Sequence, residues 1–390
     1  MMELGLEALD SLEKKTIFDR RSLNPIKKWW LDLDKVNFLL IFGIMMFGLI
    51  MTATSSPAIA AKIGVSKFFF LKKQLIFSFI GLWTMIVISF LDNEKIRVLS
   101  FFGIVTIFVF LISVLAFGTQ VKGAKRWVSI LGFSLQPSEF AKPFFIIFNA
   151  FLLHRLSLKK WQVKYGASAL LFVSMALMLL LQPDLGMTLT FSIIWAAQLF
   201  VFGLPIAFIL IMGFLSIFGA VAAYITFPHV QDRINRFFDS SQANYQVERS
   251  MDAVVNGSFL GTGPGNGVVK QYIPDAHTDF IFAVMAEEFG IISCIILLFV
   301  FLYLIARIVK RSKEEENMFI YLCLCGLVVL FALQIFINIG VSLKLLPTKG
   351  MTLPFISYGG SSMLAMSICF GTILAFTKRK YHKKVNHIDI

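Results

Sequence analysis

The chain has 390 residues, is 57% hydrophobic and carries a net charge of +13, with a mean hydropathy of +0.79. That composition excludes an ordinary water-soluble domain. It also argues against nucleic-acid binding, because no basic patch is interleaved with aromatic residues and the positive excess is what inner-side membrane loops carry.

Apolar runs of about 18 or more residues recur, each long enough to cross a hydrocarbon core of roughly 30 Å as a helix. Barrel strands would alternate, and a spanning segment must satisfy its own backbone groups, so the runs predict helices. The expected fold is an all-α polytopic integral membrane protein of about ten transmembrane helices.

Residues 1–35 read as a cytoplasmic tail, too long and too acidic for the head of a cleavable signal, so the first apolar run is an uncleaved anchor. The predicted spans are 36–55, 75–91, 99–117, 138–153, 166–182, 187–203, 205–225, 279–306, 317–339 and 360–377. The fourth is short, and only a Gly203–Pro205 turn separates the sixth from the seventh. Residues 36–377 form the membrane domain, with a long outer loop, 226–278, between spans seven and eight, and 378–390 form the C-terminal tail. An even number of spans puts both ends on one side. About 22 Lys and Arg fall in the tails and their alternate loops against about 14 elsewhere, which places both termini in the cytoplasm. The basic clusters are Lys14, Lys15, Arg20, Arg21, Lys27 and Lys28; Lys159 and Lys160; Lys310, Arg311 and Lys313; and Lys378, Arg379 and Lys380. They fit topology and contact with anionic membrane lipids. Cys294, Cys323, Cys325 and Cys369 all lie in apolar runs, so neither a disulfide nor a metal cluster is expected.

The outer loops carry the chemistry. "GAKRWVSILGFSLQPSEFAK", residues 123–142, places Lys125 and Arg126 on the outer side with Trp127 at the interface. An interfacial anchor explains the stretch; so does binding of an anionic headgroup such as a pyrophosphate, because outer-side cations run against the positive-inside rule. "QPSEFAK" reads as a helix start with Glu139 and Lys142 paired at i,i+3. "QPDLG" puts Asp184 in a turn, where it caps. "GTGPGNG", residues 261–267, has neither the Walker nor the dinucleotide fingerprint; it reads as a flexible loop or as backbone approaching a sugar or phosphate.

"PDAHTDFIFAVMAEEFG", residues 274–290, sends a His-Thr-Asp triplet into an apolar helix. His277 or Thr278 is expected to cap it, with Asp279 in the first turn, either complementing the helix dipole or facing a polar cavity. At about 100° per residue Glu287 lies roughly 80° from Asp279 and Glu288 roughly 180° away. Glu287 is thus expected to share the Asp279 cavity about 12 Å deeper, too far for a carboxylate dyad, while Glu288 meets a basic or polar partner elsewhere. "LLPTKGMTLPFISYGGSS", residues 345–362, breaks any helix and adds Lys349 and the hydroxyls of Ser357, Tyr358 and Ser361.

Together "GAKRW", "QPSEFAK", "QPDLG", "PDAHTDFIFAVMAEE" and "LPTKGMTLPFISYGGSS" resemble the SEDS family (shape, elongation, division and sporulation) of bacterial membrane proteins, in order, from the first span to the last. "LLPTKGMTLP" and the long charged tail resemble the division branch more than the elongation branch. The resemblance implies a peptidoglycan glycosyltransferase that polymerises lipid II, an undecaprenyl-linked disaccharide-pentapeptide, at the outer face of the bacterial cytoplasmic (inner) membrane, at the division septum. It implies class B penicillin-binding transpeptidases and other division-ring proteins as partners. The family's essential Asp falls on Asp279, and its paired Glu and Lys on Glu139 and Lys142.

Chemistry consistent with that resemblance assigns Asp279 to orient the acceptor hydroxyl or take its proton. The diphosphate leaving group calls for cations, or for a divalent metal such as Mg or Mn. Lys125, Arg126, Lys142, Arg249 and Lys349 are the candidates, with Lys125 and Arg126 the preferred pair; Glu139, Glu287 and Ser357 complete the expected substrate contacts. No cluster has metal-ligand spacing. A lipid II flippase remains open, since buried acids and broken helices also suit a transporter, as does a noncatalytic division-ring scaffold docked through the basic tail.

Overall fold

In the computed structural model of this chain, residues 24–121, 124–130, 133–226, 231, 235 and 245–378 are described. The clusters expected at 14–21 and 379–380, most of both tails, and part of the 226–278 loop lie outside them.

Helix α1, Pro25–Asp32, starts with a proline where a missing N–H is harmless, and the Asn24 side chain accepts from the Ile26 amide at 3.2 Å. Helix α2, Lys35–Lys62, is capped by Asp34, which accepts from the Asn37 amide at 3.3 Å and also holds Arg307 at 2.8 Å. Helices α3, Phe69–Ser89, and α4, Asn93–Phe117, follow.

Three strands then form an antiparallel sheet: β1, Thr119–Val121; β2, Ala124–Ile130; β3, Phe133–Leu135. A plain loop was expected here. The stretch is rich in β-formers, Val121, Trp127, Val128 and Ile130, punctuated by glycines, which is a hairpin signal. The remaining helices are α5, Pro137–Arg155; α6, Trp161–Leu181; α7, Leu185–Val201; α8, Ile206–Thr226; α9, Tyr245–Gly257; α10, Ile281–Lys313; α11, Met318–Ser342; and α12, Gly360–Phe376. All ten expected spans coincide with helices, α2 to α8 and α10 to α12. By length and composition, 6 helices among the described residues are long and apolar enough to cross a membrane. Among the described residues, the expected outer loop contains α9 and a 3-10 turn, Val269–Tyr272, rather than irregular chain throughout.

Helices α11 and α12 form the centre. Ser361 through Phe376 are buried except for the half-buried Leu364, and α12 packs along α3 and α5 while α11 packs on α5, α7 and α10. Small residues, Ser361, Ala365, Ser367, Gly371 and Ala375, let the neighbours of α12 come close. The surface pattern inverts that of a soluble protein: Phe79, Leu170 and Phe214 are 74%, 72% and 70% exposed, while Asn149, Gln198 and Gln74 are 0% exposed. Lipid satisfies the first group and internal hydrogen bonds the second.

One such network joins α5, α6 and α7. Asn149 donates to Gln198 Oε1 at 3.0 Å, Ser168 Oγ donates to Asn149 Oδ1 at 2.6 Å and Trp195 Nε1 donates to Ser168 Oγ at 2.8 Å. Gln198 Nε2 donates to the Ile146 carbonyl at 2.9 Å. Asn149→Leu strands a donor and an acceptor in a dry interior. We expect a loss of about 1–3 kcal/mol, read as a lowered unfolding midpoint in detergent.

Helix α10 is broken at Gly290, whose φ of 78° and ψ of 171° are non-helical. The chain after α9 lies across the break. The Thr262 and Gly263 amides donate to the carbonyls of Glu287 and Glu288 at 2.9 and 3.0 Å, and the Ile291 amide donates to the Ser258 carbonyl at 3.0 Å. The backbones approach so closely that a Cβ on Gly257 would lie 1.9 Å from the Ala286 carbonyl oxygen. The glycine-rich stretch from 257 to 267 thus meets helix α10, the close backbone approach expected for a sugar or phosphate being made to protein instead.

Candidate active site

The segment before α10 is a tight turn. Asp275 adopts a left-handed φ of 57°, and its carbonyl accepts from the amides of Thr278 at 3.0 Å and Asp279 at 3.1 Å. Asp279 therefore stands ahead of the helix, not in its first turn. Phe280 is the N-cap residue and makes no side-chain capping bond. The expectation that His277 or Thr278 caps fails because the Thr278 hydroxyl turns back to the Asp275 carbonyl at 3.1 Å. His277, 6% exposed, lies against the rings of Phe70 and Tyr358. Burial drives its imidazole down to about 4 against the pull of Asp275, so it is neutral near pH 7.

A second broken segment, 351–358, is stitched to this turn. Asn338 Nδ2 donates to the Asp279 carbonyl at 2.9 Å and to the Met351 carbonyl at 2.7 Å. Ser357 Oγ donates to the Thr278 carbonyl at 2.6 Å and accepts from the Leu353 amide at 2.8 Å, and the Tyr358 amide donates to the His277 carbonyl at 2.8 Å. This stitching leaves the half-buried Asp279 carboxylate beside Gly350. A Cβ added to Gly350 would lie 3.0 Å from Asp279 Oδ2.

The neighbouring residue, Lys349, reaches the opposite wall, where its ammonium donates to Thr190 Oγ1 on α7 at 2.5 Å. Burial lowers it to about 8, helped by the like charge of Lys142 and opposed by Asp184 and Glu139. On α5, Lys142 Nζ meets Glu139 Oε2 at 2.8 Å, with the lysine wholly buried. Asp184 caps α7 by accepting from the Met187 amide at 3.1 Å, as its turn predicted. Arg126 Nε lies 3.6 Å from Asp184 Oδ2 and donates to the Gln182 carbonyl at 3.3 Å, and another of its guanidinium nitrogens donates to the Pro183 carbonyl.

Lys349, Lys142, Glu139 and Asp184 therefore converge where the first turns of α5 and α7 meet the segment before α12, and Asp279 stands against that same segment at Gly350. Other expected contacts do not join them. Lys125 and Arg126 sit on a strand, where adjacent side chains point to opposite faces, so they cannot act as a pair. Lys125 is exposed, and Arg126 is docked on the 182–184 turn. Arg249 lies on the surface of α9, paired with Asp252 at 2.9 Å. Ser357 is 3% exposed, and its hydroxyl is occupied as a staple between two backbone segments.

Glu287 does not share a cavity with Asp279. It is 0% exposed, and its carboxylate takes the Val269 amide at 2.7 Å, the Lys270 amide at 2.9 Å and Asn256 Nδ2 at 3.0 Å. The helical-wheel comparison failed because Asp279 is outside the helix, so its angle to Glu287 is not set by helical pitch. Glu288 does point elsewhere, to the Lys270 ammonium. Sequence reasoning passed over Thr190 and Asn338. Asn338 was discoverable as one of two amides, with Gln334, in an otherwise apolar run; Thr190 looks like any small helix residue.

A polytopic helical bundle with a half-buried acid, a buried lysine near a helix start and a second lysine on a broken segment is a membrane protein built around a polar site. The chain belongs to the FtsW/RodA/SpoVE family, whose model, described as "Cell cycle protein", matches residues 35–382. It is 35% identical to the "Probable peptidoglycan glycosyltransferase FtsW" of Caulobacter vibrioides, over 93% of this chain and 94% of that one. Identity to the protein of the same name from Saccharophagus degradans is 36%, over 82% of this chain and 86% of that one. Among solved structures, a chain from a peptidoglycan synthase complex, described as showing structural coordination of polymerization and crosslinking, superposes with a TM-score of 0.75 at 26% identity. It covers 89% of this chain and 98% of its own. The crystal structure of Thermus thermophilus rod shape determining protein RodA gives 0.66 at 25% identity, covering 89% and 97%.

Proposed function

We propose that this chain is a peptidoglycan glycosyltransferase that polymerises lipid II during septal cell-wall synthesis. The observation that carries the reading is the facing of Asp279 and Gly350, which sets a carboxylate beside the segment that carries the half-buried Lys349. Glycosyl transfer forms a bond from an acceptor hydroxyl to an anomeric carbon and breaks the bond from that carbon to a diphosphate. Asp279 accepts the hydroxyl's hydrogen bond and takes its proton as the new bond forms. Lys349, with Lys142 behind it, stabilises the charge that develops on the leaving diphosphate. His277, neutral near pH 7, supplies no positive charge and serves to hold the turn. The prenyl chain lies among apolar side chains of the bundle surface.

Among the described residues, no group of three or more His, Cys, Asp and Glu side chains gathers to cage a metal. One carboxylate plus diphosphate oxygens is the donor set that suits Mg or Mn, and Asp279 would be the protein ligand. Such an ion would neutralise diphosphate charge.

A similar solved chain from a complex described as coordinating polymerization and crosslinking supports a crosslinking partner, which we take to be a penicillin-binding transpeptidase; other division-ring proteins are proposed from the septal role. The charge bias of the loops supports cytoplasmic termini, and the relatives' names support residence at the septum.

Purified protein in detergent with lipid II tests the reading, since no translocation is needed there. Glycan strands are expected; lipid II left unpolymerised, together with its transport across sealed vesicles, would favour a flippase. The pH profile adds a check. Lys349 is charged below about 8 and loses its proton above, so polymerisation should fall as pH rises through that value. Lys349→Arg should move this alkaline limb upward. Stability runs the other way: the unfolded state binds the extra proton between about 8 and 10.5, so the fold gains stability as pH rises through that window.

A further inference from the structure

The break in α10 leaves a short half-helix, Ile281–Phe289, whose residues Ile281 through Glu288 are all buried. Asp279 precedes its first turn, and Glu287 and Glu288 lie at its far end. Both glutamates are held by one residue of the outer loop. The Lys270 amide donates to Glu287 Oε2 at 2.9 Å, and the Lys270 ammonium pairs with Glu288 Oε1. The same ammonium donates to the Thr54 carbonyl on α2 at 2.9 Å and to the Gly265 carbonyl at 3.2 Å. Lys62, also on α2, donates to the Gln271 carbonyl at 2.5 Å.

Helix α2 is equally the support of the other wall. A Cβ on Gly48 would lie 2.2 Å from the Phe355 carbonyl oxygen, so α2 touches the backbone of the segment that follows Lys349 and Gly350. The half-helix bearing Asp279 and the segment bearing Lys349 are thus both referenced to α2, the first through Lys270.

We propose that Lys270 and Glu288 are positioning residues for glycosyl transfer: their buried ion pair locks the Asp279 half-helix to α2 and so sets the carboxylate against Gly350 and Lys349. The proposal rests on the catalytic reading of Asp279. A buried pair of this kind is a poor source of stability, because desolvation offsets most of its attraction, but it fixes register well. The half-helix needs such a lock, since the break at Gly290 uncouples it from the long remainder of α10.

The test compares Lys270→Met, Glu288→Gln and the double variant Lys270→Met/Glu288→Met, purified in detergent, for thermal midpoint, KM for lipid II and kcat. Both single variants should lower kcat by roughly 10–100-fold, the range that a misplacement approaching 1 Å produces, with KM changed less than about twofold. Lys270→Arg should retain more of the rate than Lys270→Met. The double variant strands no charge, so it should recover the thermal midpoint without recovering kcat, which a merely structural pair would not do. A double variant with wild-type kcat overturns the proposal. Asp279→Ala run alongside separates the two readings: an active Asp279→Ala protein removes both, whereas an inactive one beside a fully active double variant removes the lock alone.

Discussion

Lys142→Met should be the most destabilising of the charge-removing substitutions at the site, by about 3–5 kcal/mol, measured as a shift of the unfolding midpoint in detergent. Lys142 is 0% exposed, and its ammonium lies 2.8 Å from Glu139. Neither charge has water to fall back on, so the loss of one leaves the other uncompensated in a dry interior. Glu139→Gln should destabilise for the same reason with the sign of the stranded charge reversed. In the combined variant both charges are gone, and most of the stability should return. Activity should not return with it, because Lys142 lies behind Lys349 on the wall assigned to the diphosphate. Near-additive losses in the double variant would contradict a coupled pair.

The second large effect is at Asp279. Asp279→Ala and Asp279→Asn should each reduce polymerisation by about 10²–10⁴-fold, the contribution typical of a positioned general base. Asn keeps the size and one acceptor oxygen but cannot take a proton, so it separates proton transfer from simple orientation. The Asp279 carbonyl accepts from Asn338 and its amide donates to the Asp275 carbonyl; both main-chain bonds survive the substitutions, so both variants should remain folded. An Asp279→Asn protein retaining most of the rate would limit the carboxylate to orienting the hydroxyl.

The fold was legible because lipid imposes a strong rule: each long apolar run became a helix, although α2, α3 and α10 run six or seven residues past an expected end. The Glu139–Lys142 pair was legible because i,i+3 spacing fixes a contact within one helix. The Asp184 cap was legible from its turn. Three features were not. The sheet at 119–135 depends on strand pairing that cations and glycines disguise as a loop. The Glu287 environment depends on a chain segment far from it in sequence folding over a helix break, and Gly290 alone does not announce a break. The cations diverged because adjacent positions such as Lys125 and Arg126 look like a cluster in one dimension and alternate on a strand. In each case a tertiary partner decided what local pattern could not.

The central claim is that one carboxylate ahead of a broken helix performs the chemistry on a lipid-linked sugar held by buried cations. It is tested most directly by measuring lipid II binding and polymerisation together for the wild-type and Asp279→Ala proteins in detergent. The account predicts that the variant binds lipid II within a few-fold of wild type, about 1 kcal/mol or less, yet forms no glycan strands. An Asp279→Ala protein that builds strands at the wild-type rate would contradict it.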